Sequence, residues 1–478
     1  MDDSLEPFFD GETQSLVSRF EAMRREKQFI FFDVDEYEEI IDYYFSRNEQ
    51  KKALLTITAG LEQHPDHPYL RIRMAQYLIN AKRVHEALRI LKEIESPDTW
   101  DSDFHLSIGN LYSQLEKPEK AISAYKRALQ ETDYEDELYT NIAFEYENLG
   151  KYHEAIDFLL KALEINPDND NALYEFAFCC EVSHQSLRSI EFFLRFVDRN
   201  PYSAPGWFNL GIALSNAGMF EKAIEAYEYV LAIDETFSSA HFNKANCQAN
   251  IGLYREAIAT YQETFLYEDP EPVTYYYIAE CFEKLKDYSA AMDFYRKSVD
   301  SDEEFADGWL GLGICYDETG EPAKGLAFVE KAIKLSPGIP EYWFILGDIR
   351  VKMGMTDEGI EAYRKVTELN PEDEEVWLDL SVVYADRKDY PAAAGVLQEG
   401  LEHHVTNADF WFGLGYYHVR MGQPLQGKEM ILKGLEIDSE GFKRLVSTFP
   451  DAGTNQVIVN LIALHREGDQ PAIDTLLT

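Results

Sequence analysis

Four tryptophans, Trp309, Trp343, Trp377 and Trp411, stand 34 residues apart, and Trp207 precedes the first of them by three such periods. A fixed period of this size means one supersecondary unit copied and stacked, because a single copy could not bury its own apolar face. Setting the tryptophans as position 4 frames twelve units without an insertion or deletion. They start at Val34, Pro68, Ser102, Asp136, Asp170, Ala204, Ser238, Pro272, Ala306, Pro340, Glu374 and Ala408, and the array ends at Gly441.

Within the unit, apolar residues recur at positions 4, 7, 8 and 11 (Trp207, Leu210, Gly211, Leu214) and again at 17, 20, 21, 24 and 28 (Phe220, Ala223, Ile224, Tyr227, Leu231). Both sets have helical spacing, so each unit reads as two helices. Position 8 is small in all units but the first, which has Ile41, and position 20 is small in all twelve, from Ala53 to Gly427. Small residues at two fixed points let two helices cross closely while larger neighbours fill the grooves. Glycine at position 15 in several units (Gly150, Gly218, Gly252, Gly320, Gly354, Gly422) suits a left-handed helix cap, and proline at position 32 (Pro65, Pro167, Pro201, Pro337, Pro371) stops the second helix.

The columns W-x2-L-G-x2-Y, then A-x3-F, then P carry a resemblance to the tetratricopeptide repeat (TPR) family over residues 34–441, clearest in Trp309-Leu310-Gly311-Leu312-Gly313-Ile314-Cys315-Tyr316. The half-TPR repeats of RNA-processing proteins share the length, but the Leu-Gly and Ala columns favour the true TPR. The resemblance implies an all-α fold, a right-handed superhelical α-solenoid of twelve helical hairpins. Residues 1–33 are expected to form a tail and a capping helix, and residues 442–478 capping helices. The fifth unit, with Ser186 at the usual aromatic position 17, reads as a softer joint.

In TPR proteins the first helix of each unit lines a concave groove through positions 2, 5, 6, 9, 12 and 13. Those columns hold Asn141, Asn209 and Asn243 at position 6, and Asn110 and Asn246 at position 9. An amide offers both donor and acceptor to an extended backbone. The column is similar to the asparagine ladder of O-linked N-acetylglucosamine transferase, interrupted here by Glu175. Position 5 is apolar (Tyr174, Phe208, Phe242, Tyr276, Phe344) and position 2 acidic (Asp35, Asp103, Glu137, Asp307, Glu341). The expected partner is a protein or peptide with Lys or Arg beside apolar residues. Chaperone-type TPR clamps need lysine at position 5 and asparagine at position 9, and no unit has that pair; Arg73 is the one basic residue at position 6. A different class of function is a structural scaffold using the convex face or the ends, with the groove filled by the chain's own N-terminal segment.

Charge agrees with a protein partner. The 87 acidic against 44 basic residues give a formal charge of −43, which repels nucleic-acid phosphates and anionic membranes. Neither a signal-like segment nor a run of about 18 apolar residues is present, so the expectation is a soluble, cytoplasmic chain. Cys179, Cys247, Cys281 and Cys315 at position 10 and Cys180 at position 11 read as core residues. The histidines scatter and the Gly-x-Gly pairs lie inside helices, so no catalytic, metal or cofactor constellation is expected.

At the ends, Leu16, Val17, Phe20 and Met23 form a stripe on a helix from about Thr13 to Gln28. Glu6-Pro7-Phe8-Phe9-Asp10 ahead of it reads as part of that cap or as a docking motif. Phe442, Leu445, Val446 and Phe449, then Val457, Ile458, Leu461, Ala463 and Leu464, predict capping helices, and Ile473 and Leu476 a last short one.

Overall fold

The computed structural model describes residues 11–94, 102–129 and 135–467, so the Glu6–Asp10 segment and the Ile473–Leu476 helix lie outside the described residues. The chain divides into two bodies, residues up to 247 and residues from 248. Every described element is helical. First helices begin at Val34, Pro68, Ser102, Glu135, Asp170, Ala204, Ser238, Pro272, Ala306, Pro340, Glu374 and Ala408, each within one residue of the 34-residue frame. Each is followed by a second helix, as Ala306–Glu318 is by Pro322–Leu335. Within each body successive hairpins pack side by side as an α-solenoid. The hairpins are numbered 1 to 12 in that order.

The small columns do what their spacing requires. A Cβ on Gly109, Gly211 or Gly347, all at position 8, would sit 2.4, 2.5 or 2.7 Å from the position-24 ring of Tyr125, Tyr227 or Tyr363 in the same hairpin. In hairpin 9 the backbones themselves meet, for a Cβ on Gly325 would lie 2.6 Å from the Gly313 carbonyl oxygen. The turn between the two helices is left-handed at position 15 in all twelve hairpins. Six of these residues are the glycines named above, with φ between 68° and 84°, and the others are Asn48, Lys82, Glu116, His184, Lys286 and Lys388.

The tryptophan column closes the joint between hairpins. The indole N–H groups of Trp207, Trp309, Trp343, Trp377 and Trp411 donate, each at 2.9 Å, to the carbonyls of Pro201, Glu303, Pro337, Pro371 and Val405. That carbonyl belongs to position 32 of the preceding unit, where the second helix has ended and the oxygen has no helical partner. One residue type thus fills the groove and satisfies the turn.

Both ends are covered. The helix Gly11–Glu26 lays Val17, Phe20 and Met23 on Phe32 and on Tyr37, Ile40 and Tyr44 of hairpin 1. In the second body Phe442–Thr448, a short 3-10 turn and Gln456–Glu467 bury Leu445, Phe449, Ile458 and Leu461 against hairpin 12, with Phe449 stacked 4.6 Å from Tyr416. The fifth hairpin keeps both helices, Asp170–Val182 and Ser186–Arg199. Its missing aromatic coincides with a crevice of about 10 Å³ beside Ser186 and Ser189.

Candidate functional site, a trough on the first helices

A concavity of the first body lies across the first helices of hairpins 1 to 3, Val34–Ser46, Pro68–Asn80 and Ser102–Gln114. It has a volume of about 720 Å³ and is lined by Asp35, Glu38, Tyr69, Ile72, Arg73, Gln76, Asp103, Ser107, Asn110 and Gln114, among others. These side chains occupy positions 2, 5, 6, 9 and 13. The helical repeat sets them on one face of each helix, and stacking three helices in register turns that face into a trough.

Its chemistry is acidic with one internal counter-charge. Arg73 Nη2 donates to Asp42 Oδ2 at 2.9 Å and Arg73 Nη1 to Gln76 Oε1 at 3.3 Å. Burial raises the carboxyls of Glu38 and Asp42 above the ordinary range, and Arg73 opposes that in both. Asp35 and Asp103 add two further carboxylates, so one guanidinium faces several acids. Asn110 accepts from the Tyr125 hydroxyl at 2.9 Å through Oδ1, which fixes the amide plane and directs its NH2 group elsewhere.

Of the asparagines singled out by sequence, Asn110 lines the trough. Asn209 is 1% exposed and donates through Nδ2 to the Pro205 carbonyl at 3.0 Å, so its amide serves the fold. Asn141, Asn243 and Asn246 are half-buried. For Asn141, Asn209 and Asn243 the geometric reason lies at position 6, which faces the second helix of the preceding hairpin. A Cβ on the equivalent Gly311 or Gly413 would sit 2.3 Å from Tyr295 or 2.5 Å from Leu397.

The position-5 aromatics are also held within the fold. Phe208 is buried between Tyr227 at 5.9 Å and Phe237 at 4.9 Å. Tyr276 packs on Tyr295 and Phe305 at 5.8 and 5.6 Å and donates to Glu280 at 3.0 Å. Phe344 lies 5.7 Å from Tyr363, and Phe242 is half-buried. Tyr174 is the more open ring, 38% exposed. Glu137 and Glu341 are exposed, while Asp307 accepts from the Tyr342 hydroxyl. The sequence reading missed Glu38, Tyr69, Ile72, Gln76, Ser107 and Gln114. Their signal was positional, the same five columns read in the first three units.

Carboxylates crowd elsewhere on the first helices. In the second body Asp379 is pushed up to about 6 by burial and by Asp348 and Glu375. In the first, burial and the charge of Glu175 push Glu147 up to about 7, against a lowering contact from Cys179. A raised carboxyl binds its proton more tightly in the folded chain, so Glu147 destabilises the fold progressively from its unfolded value near 4.5 up to pH 7. Glu147→Gln is therefore expected to leave stability unchanged below about pH 4.5 and to raise it above pH 7. The gain is on the order of 1 kcal/mol once solvent screening of a partly exposed group is allowed for. Urea titrations at pH 4.5, 6 and 8 check this, and a pH-independent difference would refute it.

The five cysteines are buried and unpaired with one another. Burial pushes Cys180 up to about 11 and Cys281 and Cys315 to about 12, and raises Cys179 and Cys247 as well, so these thiols stay protonated and unreactive at neutral pH. Among the described residues no group of three or more His, Cys, Asp or Glu side chains is placed to hold a metal. No helix among them is long and apolar enough to cross a membrane.

Sequence models of one family match much of the chain. Tetratricopeptide repeat models match residues 137–169, 204–237, 250–304, 306–339 and 346–407, and a tetratricopeptide repeat-like domain model matches residues 43–151. A search of curated proteins returns no match. Among solved structures, MamA is 25% identical over 34% of this chain and 94% of its own, with a TM-score of 0.31. A chain of the APC/C hetero-tetramer Cut9–Hcn1 is 15% identical over 89% of this chain and 97% of its own, with a TM-score of 0.41. YrrB, described as a TPR protein with an unusual peptide-binding site, is 17% identical over 41% and 97%, with a TM-score of 0.33.

Proposed function

We propose that this chain, which belongs to the tetratricopeptide repeat family, is a scaffold whose trough over hairpins 1 to 3 holds an extended, cation-bearing peptide of a partner protein. Repeats of this family support protein–protein interaction in general. The peptide, its charge and its place are our reading. The observation that carries it is the trough itself, about 720 Å³ lined by the carboxylates of Asp35, Glu38 and Asp103 and the amides of Gln76, Asn110 and Gln114. A lysine or arginine entering it supplies the counter-charge that burial denies Glu38, while the amides meet an extended backbone. Tyr69 and Ile72 give apolar contact to the flanking residues.

The test uses a fluorescein-labelled 12-residue peptide with Lys and Arg flanking Leu and Phe, and the same peptide with Glu replacing every basic residue. The full chain should bind the basic peptide, more weakly as salt rises. Asp35→Lys with Glu38→Lys should weaken it by about a hundredfold, on the scale of desolvated charge pairs. Equal affinity for the two peptides, or for the wild type and the double variant, would overturn the reading.

A further inference from the structure

We infer a second docking surface on hairpin 6, an aromatic stack of Trp207 and Tyr229 that takes a lysine or arginine side chain from a partner protein. The inference stands apart from the trough and does not depend on it. It comes from a departure in one column. At position 26 four hairpins place a lysine over the aromatic residue at position 4, and two of them over the ring at position 23 as well. Lys331 lies 3.4 Å from the Trp309 ring centre and Lys433 lies 4.6 Å from that of Trp411. Lys161 covers Phe158 and Tyr139 at 4.5 and 5.7 Å, and Lys297 covers Phe294 and Tyr275 at 4.2 and 5.9 Å. In these four hairpins the chain itself carries the cation that caps the outer rings.

Hairpin 6 has a tyrosine where these four hairpins have lysine. Tyr229 stacks on Trp207 with ring centres 4.3 Å apart and planes 19° from parallel, and it remains 54% exposed. The stack replaces the cap with another π face turned to solvent. Tyr202, 86% exposed, adjoins the Pro201 carbonyl that anchors the Trp207 indole, and Ile233 is 37% exposed one turn beyond Tyr229. Large aromatic residues left open on a rigid element are expensive to hydrate and mark contact surfaces.

The occupant follows from charge. Glu225 precedes Tyr229 by one turn on its helix, and Asp234 and Glu235 follow in the turn after it, while Glu228 is already paired with Lys244 at 3.0 Å. A cation meets both the open ring face and the carboxylates of Glu225, Asp234 and Glu235. The repeat supplies that cation from its own position 26 in the other four hairpins.

The same comparison gives a variant that repairs the repeat. Tyr229→Lys restores the ordinary cap over Trp207 and should keep the folded chain and its melting temperature. The probe is a fluorescent 15-residue peptide of arginines spaced by Gly-Ser, measured at 0.15 M salt against its citrulline counterpart, which has the same shape without the charge. The wild type should prefer the arginine peptide. Tyr229→Lys should lower its affinity about tenfold, Tyr229→Phe should retain it, and Asn216→Lys, which adds the same charge to the other helix of the hairpin, should change it less than twofold. Equal losses in the two lysine variants, or no loss in Tyr229→Lys, would overturn the inference. So would self-association of the wild type that Tyr229→Lys abolishes, because the surface would then belong to a second copy. A loss seen only with Asp35→Lys and Glu38→Lys would overturn it while upholding the trough.

Discussion

Gly325→Val is expected to unfold the middle of the second body, at a loss of about 3 kcal/mol or more. A Cβ at this position would lie 2.6 Å from the Gly313 carbonyl oxygen, 3.3 Å from the Asp317 amide nitrogen and 3.5 Å from the Gly313 carbonyl carbon. All three are backbone atoms, so no rotamer change relieves the contact. The helices Ala306–Glu318 and Pro322–Leu335 would have to part, and the close packing of Val329 on Gly313 would go with them. Gly320→Ala in the same hairpin is the control. Gly320 has φ of 84° and nothing within 4 Å of an added Cβ, so the change costs only backbone strain, about 1 kcal/mol. Urea unfolding followed by circular dichroism should separate the two variants clearly. Similar midpoints would mean that the glycines at positions 15 and 20 are alike in kind and that the close helix crossing is not what holds the hairpin.

The contrast also marks how far the sequence could be read. The period located every first helix to within a residue, because no insertion breaks the 34-residue count and each small or aromatic column reports the same local environment twelve times. Position 15 was visible only where glycine occupies it. Lys286 and Lys388 adopt the same left-handed turn, yet no composition rule marks a lysine for it. The groove was harder still. A column of aromatics at position 5 has the same appearance whether its rings are open or enclosed, and Phe208 and Tyr276 are enclosed by Phe237 and Phe305 from the following turn. Burial of that kind is set by residues outside the column, as is the seating of Asn209 against the preceding hairpin. The trough in hairpins 1 to 3 was concealed for the opposite reason. Gln76, Ser107 and Gln114 form no column of one type, and only stacking places them side by side.

Phe20→Asp is expected to strip the cap from hairpin 1, at a local loss of about 3–5 kcal/mol. Phe20 is 3% exposed, with its ring edge-on to Phe32 at 5.9 Å and to Tyr37 at 6.1 Å. A carboxylate there would be enclosed among Val17, Met23, Ile40, Ile41 and Tyr44. The polar ties that remain, Arg19 to Glu36 at 2.6 Å and Lys52 to Glu21 at 3.0 Å, join partly exposed groups and hold little by comparison. Because each hairpin is stabilised mainly by its neighbours, the damage should be greatest at the uncapped end and fade along the array. Hydrogen exchange would then show amides of residues 34–63 losing protection while those of residues 306–437 keep theirs. Val34, Asp35 and Glu38 form one wall of the trough, so the basic peptide should lose its site although the variant alters no residue that touches it. Unchanged protection at residues 34–63 would show that the helix Gly11–Glu26 is an ornament on a self-sufficient hairpin. Uniform loss along the whole chain would show that the array folds as a single unit and not through neighbouring pairs.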